Sequence, residues 1–242
     1  MISISRRGFI AALAGTSAMM FSGCSANTDN TGDSSSSASE PQEATQTGEP
    51  QGLEIVESGW SVNDSGFVMY GIGIKNPNGD KEADFPSFTI TGKKANGSIA
   101  FSDEQTLFVI APNETVYYGF QAGNGTVPDT VEFAITDSDF SDCAEPESDI
   151  FTIANTSEVI GDYGLVSYTG ELTLNVDLSG SSAPTVLEQT AVTVILRNAD
   201  NAIVYGTSTF VDTPDQGASV PFEISAYSVP EHASFEIHAQ LW

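Results

Sequence analysis

Apolar and polar residues alternate along most of the chain after residue 52. Leu172, Leu174, Val176 and Leu178 alternate with Glu171, Thr173, Asn175 and Asp177. Phe235, Ile237, Ala239 and Leu241 alternate with Ser234, Glu236, His238 and Gln240. Val68, Tyr70, Ile72 and Ile74 form a third such face, Val116, Tyr118 and Phe120 a fourth, and Val131, Phe133 and Ile135 a fifth. A period of two sends every second side chain to one side, so these segments predict strands with one buried face. Asn76-Pro77-Asn78-Gly79, Ala95-Asn96-Gly97 and Asp200-Asn201 supply turn chemistry between them. Beyond the first 24 residues no segment carries a helical 3.6-residue apolar period. Short strands with turns at intervals of about 8–12 residues predict an all-β, sandwich-type fold.

The pattern occurs twice. Val127-Pro128, Phe133 and Ile135 match Val229-Pro230, Phe235 and Ile237 at an offset of 102. The same offset pairs Phe120 with Phe222, Pro112 with Pro214, and Phe108-Val109 with Phe210-Val211. Ala95 to Phe101 lines up with Ala199 to Tyr205 at offset 104. A tandem duplication predicts two sandwich domains, 53–140 and 150–242, joined by an acidic hinge at 141–149.

The first 52 residues are of another kind. Gly8 to Phe21 is apolar or small and 14 residues long, short of the ~20 needed to span a bilayer. Ser5-Arg6-Arg7-Gly8-Phe9-Ile10 resembles a twin-arginine export signal, and a plain basic front of the general secretory route is the alternative. Phe21-Ser22-Gly23-Cys24 resembles the lipobox of prokaryotic lipoproteins. That resemblance implies a signal peptide over 1–23, a diacylglyceryl anchor on Cys24, and a location on the outer face of the cell membrane. Ser25 to Gly52 has no Leu, Ile, Val or aromatic residue. It cannot bury enough apolar surface to offset its ordering entropy, which predicts a disordered tether with a span of roughly 30 Å.

A second resemblance covers roughly residues 66–122. Tyr70-Gly71-Ile72-Gly73-Ile74-Lys75-Asn76 is similar to the strand that opens FxLYD-type modules, and Ile110-Ala111-Pro112-Asn113-Glu114-Thr115 to their later turn. The Tyr-Asp pair of that family is replaced here by Lys94-Ala95-Asn96-Gly97. The resemblance implies immunoglobulin-like sandwiches, common in secreted and lipid-anchored bacterial proteins, with no shared catalytic residues.

Charge narrows the partners. The formal charge is −26. Cutting before Cys24 removes Arg6 and Arg7 but no acid, giving −28. Such a surface repels nucleic acid and anionic lipid. Once Cys24 is lipidated, Cys143 is the remaining cysteine, so no intramolecular disulfide is expected.

Catalytic patterns are sparse. The two histidines, His232 and His238, read as solvent-exposed, with no nucleophile elbow and no phosphate-cradling loop. Asp137, Asp139, Asp142, Glu145, Glu147 and Asp149 crowd the seam. Carboxylates on a flexible loop are calcium ligands, so Asp137, Asp139 and Asp142 are a candidate Ca²⁺ site, the alternative being a solvated hinge. Tyr117 has the opposite parity to Tyr118, which places it outside its own core and makes it the candidate ligand-binding residue. The sequence therefore predicts a non-catalytic, lipid-anchored binding module for an extracellular ligand or envelope protein. The alternatives are an accessory subunit of an exported redox or transport complex, and a hydrolase built on a carboxylate pair.

Overall fold

Among the described residues the alternating segments form thirteen β-strands arranged as four antiparallel sheets. The structure, a computed structural model, describes residues 49–143, 149–178 and 188–242. Arg6, Arg7, Cys24, Glu145 and Glu147 lie outside the described residues.

Sheet 1 joins β1 (Glu54–Val62), β2 (Val68–Lys75) and β6 (Thr115–Ala122), with β2 central. Sheet 2 centres on β3 (Lys81–Lys93). It pairs on one side with β4 (Ile99–Thr106) and the short β5 (Val109–Ile110), and on the other with β7 (Thr130–Asp142). Sheet 3 joins β8 (Phe151–Ile160), β9 (Leu165–Leu174) and β12 (Ser219–Tyr227), with β9 central. Sheet 4 joins β11 (Ile203–Asp212), β10 (Gln189–Arg197) and β13 (Ser234–Leu241), with β10 central.

The duplication is visible in this order. Strands β1-β2-β6 of the first repeat correspond to β8-β9-β12 of the second, and β4-β3-β7 to β11-β10-β13. Each repeat closes its own core. Val68, Tyr70, Ile72 and Ile74 are at most 1% exposed and pack with Phe88, Ile90, Val116 and Tyr118 between sheets 1 and 2. Tyr168, Leu172, Val192, Val194, Leu196 and Phe222 fill the space between sheets 3 and 4.

The repeats are also pressed face to face. Strand β2 is buried along both faces up to Ile74, and β10 from Thr190 to Arg197. Even positions of β2 enter the first core, while Met69 and Gly71 meet sheet 4. Strand β11 lies across all three strands of sheet 1, and β6 touches all three of sheet 4, the pattern of sheets crossing steeply rather than aligned. Face-packed sheets stand about 10 Å apart; here glycines bring two backbones into contact. A Cβ on Gly206 would stand 2.6 Å from the Tyr70 carbonyl oxygen and 2.8 Å from Gly71 Cα, and one on Gly119 would stand 2.6 Å from Gly206 Cα. Ser208 Oγ donates to the Gly119 carbonyl at 2.7 Å across the same junction. The order of layers is sheet 2, sheet 1, sheet 4, sheet 3, and Gly48–Trp242 is one compact unit.

The joining faces are not equivalent: repeat 1 offers β1-β2-β6, and repeat 2 offers its copy of the other sheet. A heterologous contact of this kind can propagate. The two outer faces carry Thr91, Ser102 and Glu132 on sheet 2, and Ser167, Glu171 and Glu223 on sheet 3.

Three expectations are corrected. The seam carboxylates do not begin a hinge loop, because β7 continues through Asp142 in register with β3, where Asp142 pairs with Lys81 at 2.5 Å. Strand β9 stops at Leu174, so Val176 and Leu178 do not extend its buried face. Phe120 is 39% exposed rather than core, since it lies toward the end of an edge strand of sheet 1.

Candidate functional site

Chemistry-bearing side chains meet where sheet 1 crosses sheet 4. Glu57 of β1 and Arg197 of β10 form a bidentate pair, Nη1 to Oε2 and Nη2 to Oε1, both 2.7 Å. Arg197 Nη1 also donates to the Asn201 carbonyl at 3.1 Å, and its Nε lies 3.0 Å from Glu236 Oε1. The Tyr117 hydroxyl donates to Glu57 Oε1 at 2.7 Å. The His238 ring stacks on Tyr117 with centroids 4.3 Å apart, and the Arg197 guanidinium carbon lies 5.9 Å from the Tyr117 ring centroid.

The electrostatics follow from these contacts. The Arg197 hydrogen bond holds the Glu57 carboxyl below its ordinary value, and Glu57 raises Arg197 in turn. Burial, reinforced by the Glu57 carboxylate, pushes the Tyr117 phenol up. Burial pushes His238 down, with Glu236 acting against it. The result is a neutral imidazole and a neutral phenol beside an arginine shared by two carboxylates.

Beside this cluster the repeats leave a cleft of about 630 Å³. One wall is the turn between β5 and β6. Ala111-Pro112-Asn113-Glu114 has proline second and Asn113 third at φ 59°, as a type II turn requires. The Glu114 amide donates to the Ala111 carbonyl at 3.2 Å, and Glu114 Oε2 accepts from the Ala111 amide at 2.8 Å. Asn76, fully buried, holds the turn from behind by donating to the Ile110 and Ala111 carbonyls. The opposite wall is Ile237, His238 and Ala239 of β13, with Asp149, Ile150, Phe151 and Ile153 closing the third side. Burial raises the Glu114 carboxyl above its ordinary value, and the Asp149 charge adds to the rise.

Tyr117 therefore lines the cleft, but its hydroxyl is bonded to Glu57 and one ring face is stacked on His238. Trp60 packs against the first core, Tyr70 and Tyr118 are core, and Trp242 stacks on Tyr118 at 5.2 Å. Asp137, Asp139 and Asp142 all lie on β7, away from the cleft, with Asp142 committed to Lys81. No group of three metal-ligating side chains occurs among the described residues. Among the described seam carboxylates, Asp149 reaches the cleft.

Both histidines are placed differently from the solvent-exposed expectation. His238 is on the outward face of β13, yet that face meets the first repeat. His232 Nδ1 faces the Pro230 carbonyl at 3.0 Å and Nε2 faces Glu158 Oε1 at 2.9 Å, an oxygen that also accepts the Tyr168 hydroxyl. With both ring nitrogens engaged, His232 has no lone pair directed at a nucleophile. Sequence reasoning missed Glu57, Arg197, Gln240 and Glu114; the position of Arg197 as the one arginine after Arg7 was the available signal. No protein-family model matches this chain, and no curated protein matches it.

Proposed function

We propose that this chain is a non-catalytic, lipid-anchored binding module displayed on the outer face of the cell membrane, with the cleft between its repeats as the ligand site. The observation that carries this reading is the cleft itself. It is concave, it lies between two sandwich units locked together, a usual place for a ligand site, and it combines apolar side chains with polar groups spread around its lining. The neighbouring charges of Glu57, Arg197 and Glu236 satisfy one another, which makes them a rigid frame rather than acid–base machinery. The lipobox-like Phe21-Ser22-Gly23-Cys24 and the polar tether supply the placement, and the resemblance to FxLYD-type modules supports an immunoglobulin-like character for the repeats.

Capture experiments on intact cells test the binding role, and Cys24→Ala tests the anchor. Release of the Cys24→Ala protein into the medium supports the reading; retention on the membrane refutes the anchor.

A second reading, an accessory subunit of an exported envelope complex, is favoured by one feature. Val159, Ile160 and Tyr163 at the β8–β9 turn and Tyr227 at the end of β12 are 51%, 80%, 103% and 62% exposed. An apolar tip of this kind suits a protein partner. Co-purification with a defined set of envelope enzymes, lost in a Tyr163→Ser/Tyr227→Ser variant, would replace the first reading with this one.

A further inference from the structure

Gln240 follows the cleft-lining Ala239 on β13 and borders a small recess next to the cleft. It is 5% exposed, on the face of β13 turned toward the first repeat, and neither its Oε1 nor its Nε2 has a hydrogen-bond partner among the described residues. A buried amide left unsatisfied is destabilising, and an apolar side chain of the same shape would avoid that penalty.

A recess of about 10 Å³ borders this residue, and it shares Glu114, Ile150, Phe151 and Ala239 with the larger cleft. This volume is close to the least that holds one water-sized atom. A carboxylate, phosphate or guanidinium is too large for it. The group that completes the recess must accept from Nε2 and also donate, to Gln240 Oε1 or to the Glu114 carboxyl. A hydroxyl does both with one heavy atom, whereas an ammonium has no lone pair for Nε2.

The rest of the cleft agrees in kind. Asn113, Thr115, Asp149 and His238 line its outer part, so polar partners are spread around it rather than gathered at one point. Glu114 and Asp149 make its field negative, because Arg197 is already shared by Glu57 and Glu236 and His238 is held neutral by burial. Anionic ligands are repelled. Phe151, Ile153 and Ile237 offer apolar surface for C–H faces.

We propose that the cleft binds a neutral polyhydroxylated ligand, a sugar ring or polyol, with one hydroxyl seated in the recess between Gln240 and Glu114. This rests on the reading of the chain as a binding module and gives that module its ligand class. A free sugar and the terminal residue of a polymer present the same hydroxyls.

The test is ligand binding to the intact chain, followed by NMR of the Gln240 side-chain amide. The probes are a panel of neutral methyl hexosides and hexitols, the corresponding uronates, and soluble neutral polysaccharides. The expected result is a neutral hexoside or hexitol that shifts the Gln240 amide, with the matched uronate at least tenfold weaker. Tighter binding of a polysaccharide than of its methyl glycoside assigns the site to chain ends; equal binding assigns it to free sugars. Gln240→Leu is expected to weaken binding at least tenfold while raising Tm, a combination that a merely structural role would not produce. Failure of every neutral probe to move the amide overturns the inference and leaves the recess as a water site. Binding of some other ligand class in the cleft overturns it too, while the binding-module reading survives.

Discussion

Glu57 and Arg197, 140 positions apart in the sequence, clasp each other through two hydrogen bonds of 2.7 Å and so tie the first strand of one repeat to the central strand of the other. The arginine side chain is 5% exposed. Removing one member of a buried pair leaves an uncompensated charge and costs about 3–5 kcal/mol, while replacing the whole set by apolar groups can be nearly neutral. Arg197→Met strands Glu57 against Glu236; because these carboxylates keep 31% and 42% exposure, the expected cost in urea unfolding is below that range, about 1–3 kcal/mol. Adding Glu57→Leu and Glu236→Leu to it should restore much of that loss. An Arg197→Met protein as stable as the parent would show that the pair does not hold the repeats together.

The second tie is the absence of side chains. A Cβ at Gly206 meets only backbone atoms, the Tyr70 carbonyl at 2.6 Å and Gly71 Cα at 2.8 Å, so no rotamer change relieves it. Gly97, at φ +81°, has nothing within 4 Å of its Cβ position. Gly206→Ala is expected to reach or pass the upper end of the ~1–3 kcal/mol cost of overpacking. It should also split thermal unfolding into two transitions as the repeats part. Gly97→Ala bears only its backbone penalty, on the order of 1 kcal/mol, with one transition kept. Equal effects from the two substitutions would refute the close crossing.

These two ties mark where sequence reasoning succeeds and where it stops. The period-two faces were legible, and Val68, Tyr70, Ile72 and Ile74 line the core as the alternation predicts. The duplication was legible too, because matched turns and aromatics carry matched strands into the same sheet order. The other face of β2 was not, since Gly71 and Gly73 carry no hydropathy signal and a covered glycine reads like a solvated one. His238 was assigned to the correct side of its strand, but that side meets another sheet. Tyr117 was singled out by parity alone and does line the cleft, although its hydroxyl and one ring face are taken by Glu57 and His238. The acidic run at Asp137 to Asp142 read as loop by composition, whereas pairing with β3 makes it strand.

Acid should loosen the junction in two stages. Burial depresses His238 below 6.5, and the groups around it are Glu236, Glu57, Arg197 and Tyr117. A base with a depressed folded value contributes stability that is present above its unfolded value and is lost as pH falls through the folded one. Glu57, depressed below 4.5 by Arg197, follows the same sign at lower pH. Tm is expected to fall as pH drops from 7.5 through the region below 6.5, and again below 4.5. His238→Phe keeps a ring against Tyr117 and should flatten the first step only. A first step unchanged in His238→Phe would assign it to another group.

Cys143 should be a slow nucleophile. Burial first, and then the carboxylate of Glu82, push its thiol up to about 11. The thiolate is the reactive form, and an ordinary thiol near 8.5 is partly ionised at pH 8. Alkylation of native protein by iodoacetamide at pH 8 is therefore expected to run about a hundredfold slower than that of a small thiol. Urea should restore the ordinary rate by removing both causes. Glu82→Gln removes the charge but keeps the burial, so its rate should fall between those of the native and unfolded chains. Native protein that alkylates as fast as the unfolded chain would place Cys143 in open solvent, where it could pair with a second chain.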